Sequence, residues 1–502
     1  MEVLDAAAVR AWAAAGRRAL ELARDRIDAV NVFPVADADT GTNVLLTVTG
    51  GLDALTAAPG AADVGEAARA FARGAMVAAR GNSGVIVSQY LAGFARGLVA
   101  PAGPAEVARA LGVAARAARD ATGDPQEGTV LTLADAVAQG ALVAVDAGAG
   151  LAAMLRQASA DAHGSLAAIS DAHPLLHAAH VVDAGACALL VVLDALAAAV
   201  DGAAAEPALD WLPTGGPRPV EAGDEGGAYE VMLLVGGAPR EDLADRLLGA
   251  MRRVGGSVAV VGGDGLWHVH VHTDDPAAAI EAARLGTREQ VVVRLVDAPH
   301  LPGVWPVDPP ERDARWGVVA CTSSASLARW YAGAGAVALV ACPEAPVLAR
   351  HVVRAVTDTG AASVALLPGA AVGADELGAV LDDERVGPVV EVLGARDELG
   401  VAVAALALAG SAASAARTRA AAEALVRLRT ATAADASLPG VVALVDAVRR
   451  DAPDAEAVTV LHRAPLDDGV TDGVAAAAEA RGLEVTFVGP TGRGPAVTVG
   501  LD

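Results

Sequence analysis

Residues 31–43 read NVFPVADADTGTN and place Asp37 and Asp39 two positions apart, where a proline and a glycine interrupt any continuous helix. In an extended or turning loop, carboxylates at i and i+2 can converge on one cation, and hard oxygen ligands suit magnesium or calcium. The alternative is a capped turn, in which Asp39 or Thr40 accepts hydrogen bonds from free N–H groups of the helix that starts near Asn43. From these residues alone the capped turn is the favoured interpretation.

A calcium-binding EF-hand does not fit this loop. Its glycine, Gly41, comes one position early, and the twelfth loop position would be Val48 instead of a bidentate acid. The metal interpretation therefore rests on the two aspartates as a pair within the loop.

The chain has no lysine. All 37 basic residues are arginines, against 61 acidic residues, and the formal net charge is −24. A P-loop needs its lysine, and Schiff-base and pyridoxal enzymes need an amine, so these classes are excluded. The negative charge argues against a nucleic-acid partner or an anionic membrane, since phosphates would be repelled. If the protein handles phosphates, metal ions and arginines must neutralise them.

The length and composition are those of a multidomain globular protein. The 502 residues allow roughly three domains of about 150 residues each. Much of the 54% hydrophobic content is alanine, which predicts thin, closely packed helices. Cys187, Cys321 and Cys342 form no CxxC motif and are interpreted as small buried residues. The N-terminus lacks a secretory signal and no apolar run reaches about 18 residues, which predicts a cytoplasmic protein without stable membrane insertion.

Two segments rich in glycine, proline and acid, residues 202–228 and 299–315, are predicted linkers. Before them, residues 1–201 carry apolar side chains at helical spacing, which predicts about eight helices and no sheet. Residues 229–298 indicate a small α+β domain with strands around a hairpin. Residues 316–502 alternate short strands with helices, which is typical of an α/β domain.

Three further loops of the first domain place glycine, threonine or aspartate at a predicted helix start. They are ARGNSGVIVSQ at 79–89, EGTVLT at 127–132 and VVDAGAC at 181–187. Backbone N–H groups at a helix start, together with the positive end of the helix dipole, can hold phosphate oxygens. Each loop alone is more simply a turn between helices, but four such loops around one bundle would crowd a single rim.

These four stretches, in this order and at these separations, resemble the nucleotide-binding domain of the bacterial fatty acid kinase ATP-binding subunit. That domain is similar to the L subunit of dihydroxyacetone kinase. The resemblance implies an all-helical barrel in which aspartates of a DGDTGTN loop hold magnesium ions that bridge the phosphates of ATP. It continues in LWHVHVHTDDP at 266–276, which is similar to the family's KVHVHTNDP, and the last third resembles a DegV-like domain.

Position by position, the resemblance makes Asp37 and Asp39 the magnesium ligands, with Asn31 as a further candidate. Ala36 and Ala38 stand where the family has proline and glycine, and the loss of the glycine narrows the backbone freedom of the loop but leaves both ligands. The residues expected to contact ATP are Thr40, Thr42 and Asn43 at the phosphates, Asn82 and Ser83 over the phosphate tail, and Thr129 and Asp183 nearer the nucleoside. Metal held by carboxylates would then replace the P-loop lysine.

His268, His270 and His272 alternate with valines, so on a strand all three project from one face. Such histidines can ligate zinc, and the alternative is a solvated polar face with the valines on the core. The resemblance assigns His270 and His272 to the family's metal-binding and catalytic pair. It leaves His268 on a solvated face, so that His268→Ala is expected to be nearly silent. Glu230 occupies the position where the family often has a cysteine as third ligand.

The function implied by the resemblance is ATP- and magnesium-dependent transfer of a phosphoryl group to a fatty acid carboxylate, in phospholipid metabolism. The implied partner is a separate DegV-like protein that presents the acyl chain, and a homodimer is a further expectation. Two alternatives stay open: a kinase for a small hydroxylated ketone, and a nucleotide-binding regulatory scaffold without transfer activity. The scaffold alternative draws on residues 316–502, where CPEAPVLARHVV and LLPGAAVGADE replace the family's asparagine and threonine signatures.

Overall fold

The protein is described from a computed structural model. The described residues are 2–33, 38–61, 63–202, 206–217, 227–238, 242–263, 265–296, 316–409 and 415–502. Their contacts divide the chain into a first unit, residues 1–226 with 237–271, and a second unit, residues 227–236 with 272–502. This grouping differs from the predicted three domains, because most of the middle segment up to Val271 packs with the helical region. The predicted linker 299–315 and Asp37 lie outside the described residues.

Helices account for the regular structure of the described residues before position 202, which confirms the prediction of an all-helical N-terminal region. The nine helices are α1 (Ala6–Asp28), α2 (Thr40–Thr56), α3 (Val64–Ala78), α4 (Gly81–Gly97), α5 (Pro104–Asp120), α6 (Val130–Asp146), α7 (Leu151–Asp171), α8 (Pro174–Ala179) and α9 (Ala184–Asp201).

The start and the buried face of α1 follow from its sequence. The Asp5 side chain accepts a hydrogen bond from the Ala8 N–H at 2.7 Å, which satisfies one of the free donors at the helix start. Val9 and Trp12 lie on the same helical face and are fully buried or nearly so. The Trp12 indole N–H donates to the Val192 carbonyl at 2.8 Å and thereby ties α1 to α9.

Small side chains let the helices approach closely. A Cβ atom on Gly93 would lie 2.6 Å from the Ala117 Cβ, and one on Gly97 would lie 2.7 Å from the Ala110 Cα, so α4 and α5 meet along their glycines and alanines. The prediction of thin, closely packed helices therefore agrees with this contact.

One described helix, α9, is long and apolar enough to cross a membrane by length and composition. Its apolar window is 78% buried inside the protein, where α9 packs mainly against α1, α6 and α7. A core helix of a globular domain has the same composition, so α9 is weak support for a membrane span.

Strands and helices alternate after position 228, which confirms a mixed α/β region. The strands are β1 (Tyr229–Gly236), β2 (Gly256–Gly263), β3 (Leu266–Thr273), β4 (Thr287–Leu295), β5 (Trp316–Thr322), β6 (Val337–Val340), β7 (Ser363–Leu367), β8 (Val390–Val392), β9 (Arg429–Ala433), β10 (Ala457–His462), β11 (Glu484–Val488) and β12 (Val497–Leu501). The helices are α10 (Leu243–Met251), α11 (Pro276–Ala282), α12 (Ala325–Gly333), α13 (Ala349–Asp358), α14 (Ala374–Leu381), α15 (Glu398–Leu408), α16 (Ala415–Arg427), α17 (Leu438–Asp451) and α18 (Asp468–Glu479).

The described strands form two sheets. One has the order β2-β3-β1-β4-β6-β5-β7-β8, and the other has the order β11-β10-β12-β9. Strands β5, β6, β7 and β8 pair in parallel, whereas β4 runs antiparallel to both β1 and β6. The sequence patterns missed β4, β9 and β12. In β9, RTATA, none of the five residues is buried, which explains the weak strand signal there. The likeness of this region to DegV proteins stays an expectation.

Candidate functional site

The start of α2 is capped by two residues that precede it. Asn31 Oδ1 accepts hydrogen bonds from both the N–H, at 3.0 Å, and the hydroxyl of Thr40. Asp28 Oδ1 accepts from the N–H groups of Gly41 and Thr42, at 2.6 and 3.1 Å, and its Oδ2 accepts from the Thr42 hydroxyl at 2.7 Å. Three of the free donors of the first turn are thereby satisfied.

The capped-turn interpretation was therefore right about the cap and wrong about the residue that provides it. Asp39 occupies the N-cap position but makes no capping hydrogen bond with its side chain. Its Oδ1 accepts instead from the Asn43 amide at 2.7 Å. Because Asp28 and Asn31 do the capping, the Asp39 carboxylate is not used to hold the helix start. The oxygen of Asn31, predicted as a further magnesium ligand, already serves Thr40.

Asp28 is the functional candidate that the sequence analysis missed. Burial raises the pKa of its carboxyl, the hydrogen bonds from Thr42 and Gly41 oppose that rise, and the negative charge of Asp39 adds to it. Two carboxylates close enough to repel each other favour a cation between or beside them, and hard oxygen donors fit magnesium. No spacing rule marked Asp28, because it lies on α1 and reaches α2 only through the fold.

Ala38 shows the consequence of losing the family's glycine. Its φ is +53°, in the left-handed region that glycine adopts freely and alanine adopts at a cost. Residue 38 thus has the backbone conformation that glycine allows, with alanine strained in it.

The turn that begins α4 packs directly on the first turn of α2. Gly81 has a φ of +54°, and a Cβ atom there would overlap the Asn43 side-chain amide. A Cβ atom on Gly84 would lie 2.5 Å from the Thr47 hydroxyl. Since the Asn43 amide donates to Asp39, the Gly-Asn-Ser-Gly turn lies beside the aspartate loop, with Asn82 and Ser83 partly exposed in it.

Arg80, immediately before this turn, is a second residue that the sequence analysis passed over. Its side chain is buried, and its Nη1 donates to the carbonyls of Ala78 and Ala79 at 2.6 and 3.1 Å. In a chain without lysine, a buried arginine next to a helix start is a natural source of positive charge for an anionic ligand.

Thr129 and Asp183 meet at two adjoining helix starts. Asp183 Oδ2 accepts from the N–H groups of Val130 and Ala186, at 2.8 and 2.7 Å, so one carboxylate caps both α6 and α9. Burial raises the pKa of Asp183 to about 6, although both backbone hydrogen bonds oppose the rise. Thr129 caps α6 through its hydroxyl, which accepts from the Leu131 N–H at 3.3 Å. Both residues are therefore helix caps, whatever they contribute to a ligand.

His173 contacts two of the polar loops, the one at residues 31–43 and the one at residues 127–132. The centroid of its ring lies 4.3 Å from that of Phe33, two residues after Asn31, and a Cβ atom on Gly128 would lie 2.8 Å from the His173 Cβ. The loop before α2 and the loop before α6 therefore both contact the His173 side chain. Together with the contacts of Gly81 and Asp183, this links the four polar loops at one rim of the helical region.

Glu230, His270 and His272 come together on β1 and β3. One ligand atom from each lies within 4.8 Å of the others, and all three side chains are buried. The solvated-face interpretation is wrong for the whole strand, because His268 is fully buried as well. Two imidazoles and one carboxylate are a donor set that suits zinc.

Arg294 alters the chemistry of this cluster. It lies directly opposite Glu230 in the pairing of β1 with β4, and its guanidinium forms an ion pair with the Glu230 carboxylate. The third ligand is therefore already partnered by a positive charge, which a cation would have to share or displace.

In the second unit, β5 lies between β6 and β7, the next two strands along the chain, so the strand order reverses there. A parallel sheet opens a crevice at the carboxyl end of such a strand. There Glu398 accepts from the hydroxyls of Thr322 and Tyr331, at 2.7 and 2.9 Å. The hydroxyls of Thr322 and Tyr331 could hold the carboxylate of a ligand, but in this structure they donate to the carboxylate of Glu398. Cys187, Cys321 and Cys342 are all buried, as predicted.

Comparison with known proteins gives matches to the helical region and to the segment that carries the histidine strand. Residues 34–198 match the model of the DAK2 domain, and residues 226–296 match that of the FakA-like middle domain of fatty acid kinase. These two matches, together with the relatives below, support a FakA-like protein.

Protein YloV of Bacillus subtilis is 30% identical over 284 residues, which are 54% of this chain and 51% of YloV. An uncharacterized protein of Staphylococcus haemolyticus is 30% identical over 264 residues, 50% of this chain and 48% of that protein. One of Staphylococcus epidermidis is 30% identical over 267 residues, with the same shares. The chain spans about half the length of these curated relatives. The DAK2 and middle-domain matches support a kinase function.

Proposed function

We propose that the protein is the ATP-binding component of a fatty acid kinase, which transfers the γ-phosphoryl group of ATP to a fatty acid carboxylate. The acyl chain would be presented by a separate DegV-like binding protein, and the complex would be cytoplasmic. The observation that carries the proposal is the rim where Asp39, beside the partly buried Asp28 carboxylate, meets the Gly81 turn through Asn43. The DAK2 match covers this rim from residue 34 onward.

Asp37 and Asp39 would hold magnesium, which supplies the positive charge that neutralises the phosphate oxygens when it is bound. Asp28 and Asn31 support the site by accepting hydrogen bonds from the N–H groups at the start of α2, next to Asp39. The Gly81 turn, with Asn82 and Ser83, would cover the phosphate tail, and the buried Arg80 adds positive charge next to it.

The acceptor requires no strong general base, because a carboxylic acid is already ionised at neutral pH. This agrees with a rim that carries aspartates, amides and hydroxyls. His270 and His272 would contact the transferred group directly or through zinc. With Glu230, zinc binding is expected to be weaker than with the family's cysteine, because glutamate is a harder ligand than thiolate and Arg294 already pairs with it.

The test is Asp39→Asn, compared with Asp53→Asn on the exposed side of the same helix. Asp39→Asn is expected to abolish magnesium-dependent ATP binding in calorimetry and transfer from labelled ATP to an acyl-loaded DegV-like protein, because it removes one of few carboxylates at the rim. Asp53→Asn is expected to behave as the wild type. Equal binding and transfer in all three proteins would exclude Asp39 as a metal ligand.

A further inference from the structure

The hairpin β2–β3 belongs to the first unit as far as Val271, and there it packs on the ends of the helices of that unit. Met76, Ala79 and Val85 form a small apolar core with Ala259 and Val261 of β2. The backbone joins the same contact, since the Gly123 N–H donates to the Val258 carbonyl at 3.2 Å. The strand that carries the histidines is therefore anchored next to the end of α3 and the start of α4.

His268 makes the most specific contact of this region. It is completely buried, and its Nε2 lies 3.1 Å from the carbonyl oxygen of Ala79. A carbonyl can only accept, so Nε2 carries the proton and donates. Ala79 is the C-cap residue of α3, and only Arg80 separates it from Gly81.

The Ala79 carbonyl is a shared anchor. Arg80 Nη1 also donates to it, at 3.1 Å. From there the chain enters the left-handed conformation at Gly81, which packs on the Asn43 side-chain amide, and that amide donates to Asp39 at 2.7 Å. A continuous series of contacts thus leads from β3 to the aspartate loop.

We propose that His268 is a positioning residue for the nucleotide site. By holding the Ala79 carbonyl, it sets the Gly81–Ser83 turn against Asn43 and so shapes the place that the phosphates would occupy. The inference rests on the proposed function for the identity of the ligand. It also replaces the expectation that a change of His268 would be silent, because a buried hydrogen bond to the backbone cannot be lost without moving or desolvating its partner.

The experiment uses the full-length protein and two variants of matched size. His268→Gln keeps an N–H donor at about the same reach as Nε2, whereas His268→Leu fills the space without a donor. The first readout is hydrogen exchange of the amides of residues 80–84 without nucleotide, with α6 and α9 as internal references. The second is the affinity for ATP with magnesium in calorimetry, and a thermal melt reports whether each variant is folded.

Faster exchange of residues 80–84 and an affinity lower by about five- to thirty-fold are expected in His268→Leu, with His268→Gln close to the wild type. Should His268→Leu fail to fold, His268→Asn takes its place, because its amide is too short to reach Ala79. Unchanged exchange in a folded variant that cannot donate to the Ala79 carbonyl, whether His268→Leu or His268→Asn, would overturn the inference. Absence of ATP binding in the wild type would instead overturn the proposed function, and the exchange measurement would still decide the role of His268.

Discussion

At the scale of the residue, the N-terminal rim is built from carboxylates that look alike in the sequence and differ in use. Asp28 and Asp183 cap helix starts, and each accepts hydrogen bonds from two backbone N–H groups, whereas the Asp39 side chain makes no capping bond. The difference is decided by which helix end each oxygen can reach. For this reason the cap interpretation and the metal interpretation of residues 31–43 are compatible.

Asp183 provides a prediction with a pH dependence. Its pKa rises from 3.8 to about 6 on folding because of burial, so the folded state binds the extra proton between those values. The stability that this group contributes is therefore present below about pH 4 and is lost as the pH rises to about 6. Asp183→Asn stays neutral and its Oδ1 can still accept from Val130 and Ala186. We expect the variant to lack this loss, and denaturant unfolding at pH 4 to 7 measures it.

Asp183→Ala is the control for the caps themselves. It removes both hydrogen bonds to the helix starts and is expected to lose about 1–3 kcal/mol of stability at every pH in this range. A wild type and an Asp183→Asn variant with parallel pH profiles would contradict the assigned cause.

At the scale of the element, the pairing of β1 with β4 decides whether the Glu230 carboxylate, in the cluster with His270 and His272, has a charged partner. The sequence shows that Glu230 replaces the family's cysteine, but the register of β1 with β4 places Arg294 opposite it. β4 itself was not predicted. The effect of the substitution could therefore not be derived from β1 and β3 alone.

We expect Arg294→Gln to bind zinc about tenfold more tightly than the wild type, because the Glu230 carboxylate no longer pairs with the guanidinium. Competition with a chelator of known affinity measures the change. Arg288→Gln is the matched control, since Arg288 lies on the same strand and pairs with Glu344. If the two variants bind zinc equally, Arg294 does not limit the metal site.

At the scale of the whole molecule, the helical region and the hairpin β2–β3 up to Val271 form one unit, although the predicted boundary falls between them. A fragment of residues 1–205 would expose the side of Met76, Ala79 and Val85 that the hairpin covers. It would also leave the Ala79 carbonyl without His268.

The fragment is expected to fold, because all residues of its core, except Leu4 and Leu212, lie between the start of α1 and the end of α9. It should bind ATP with magnesium at least about fivefold more weakly than the full chain, since the first turn of α4 loses the support of the hairpin. Circular dichroism checks the helical content and calorimetry checks the affinity. A fragment with the affinity of the full chain would show that the hairpin does not shape the site.

The sequence by itself determined the helical first region and most of the strands, because the periods of 3.6 and 2 residues are local signals. It also located the aspartate loop and the histidine strand, since each of these motifs consists of residues that are close together in the sequence. Only the tertiary structure decided that Asp28 caps α2, that Arg294 pairs with Glu230, and that His268 holds Ala79. Each of these contacts joins segments far apart or on different elements, and hydrogen bonds and ion pairs of this kind depend on packing that no local pattern encodes.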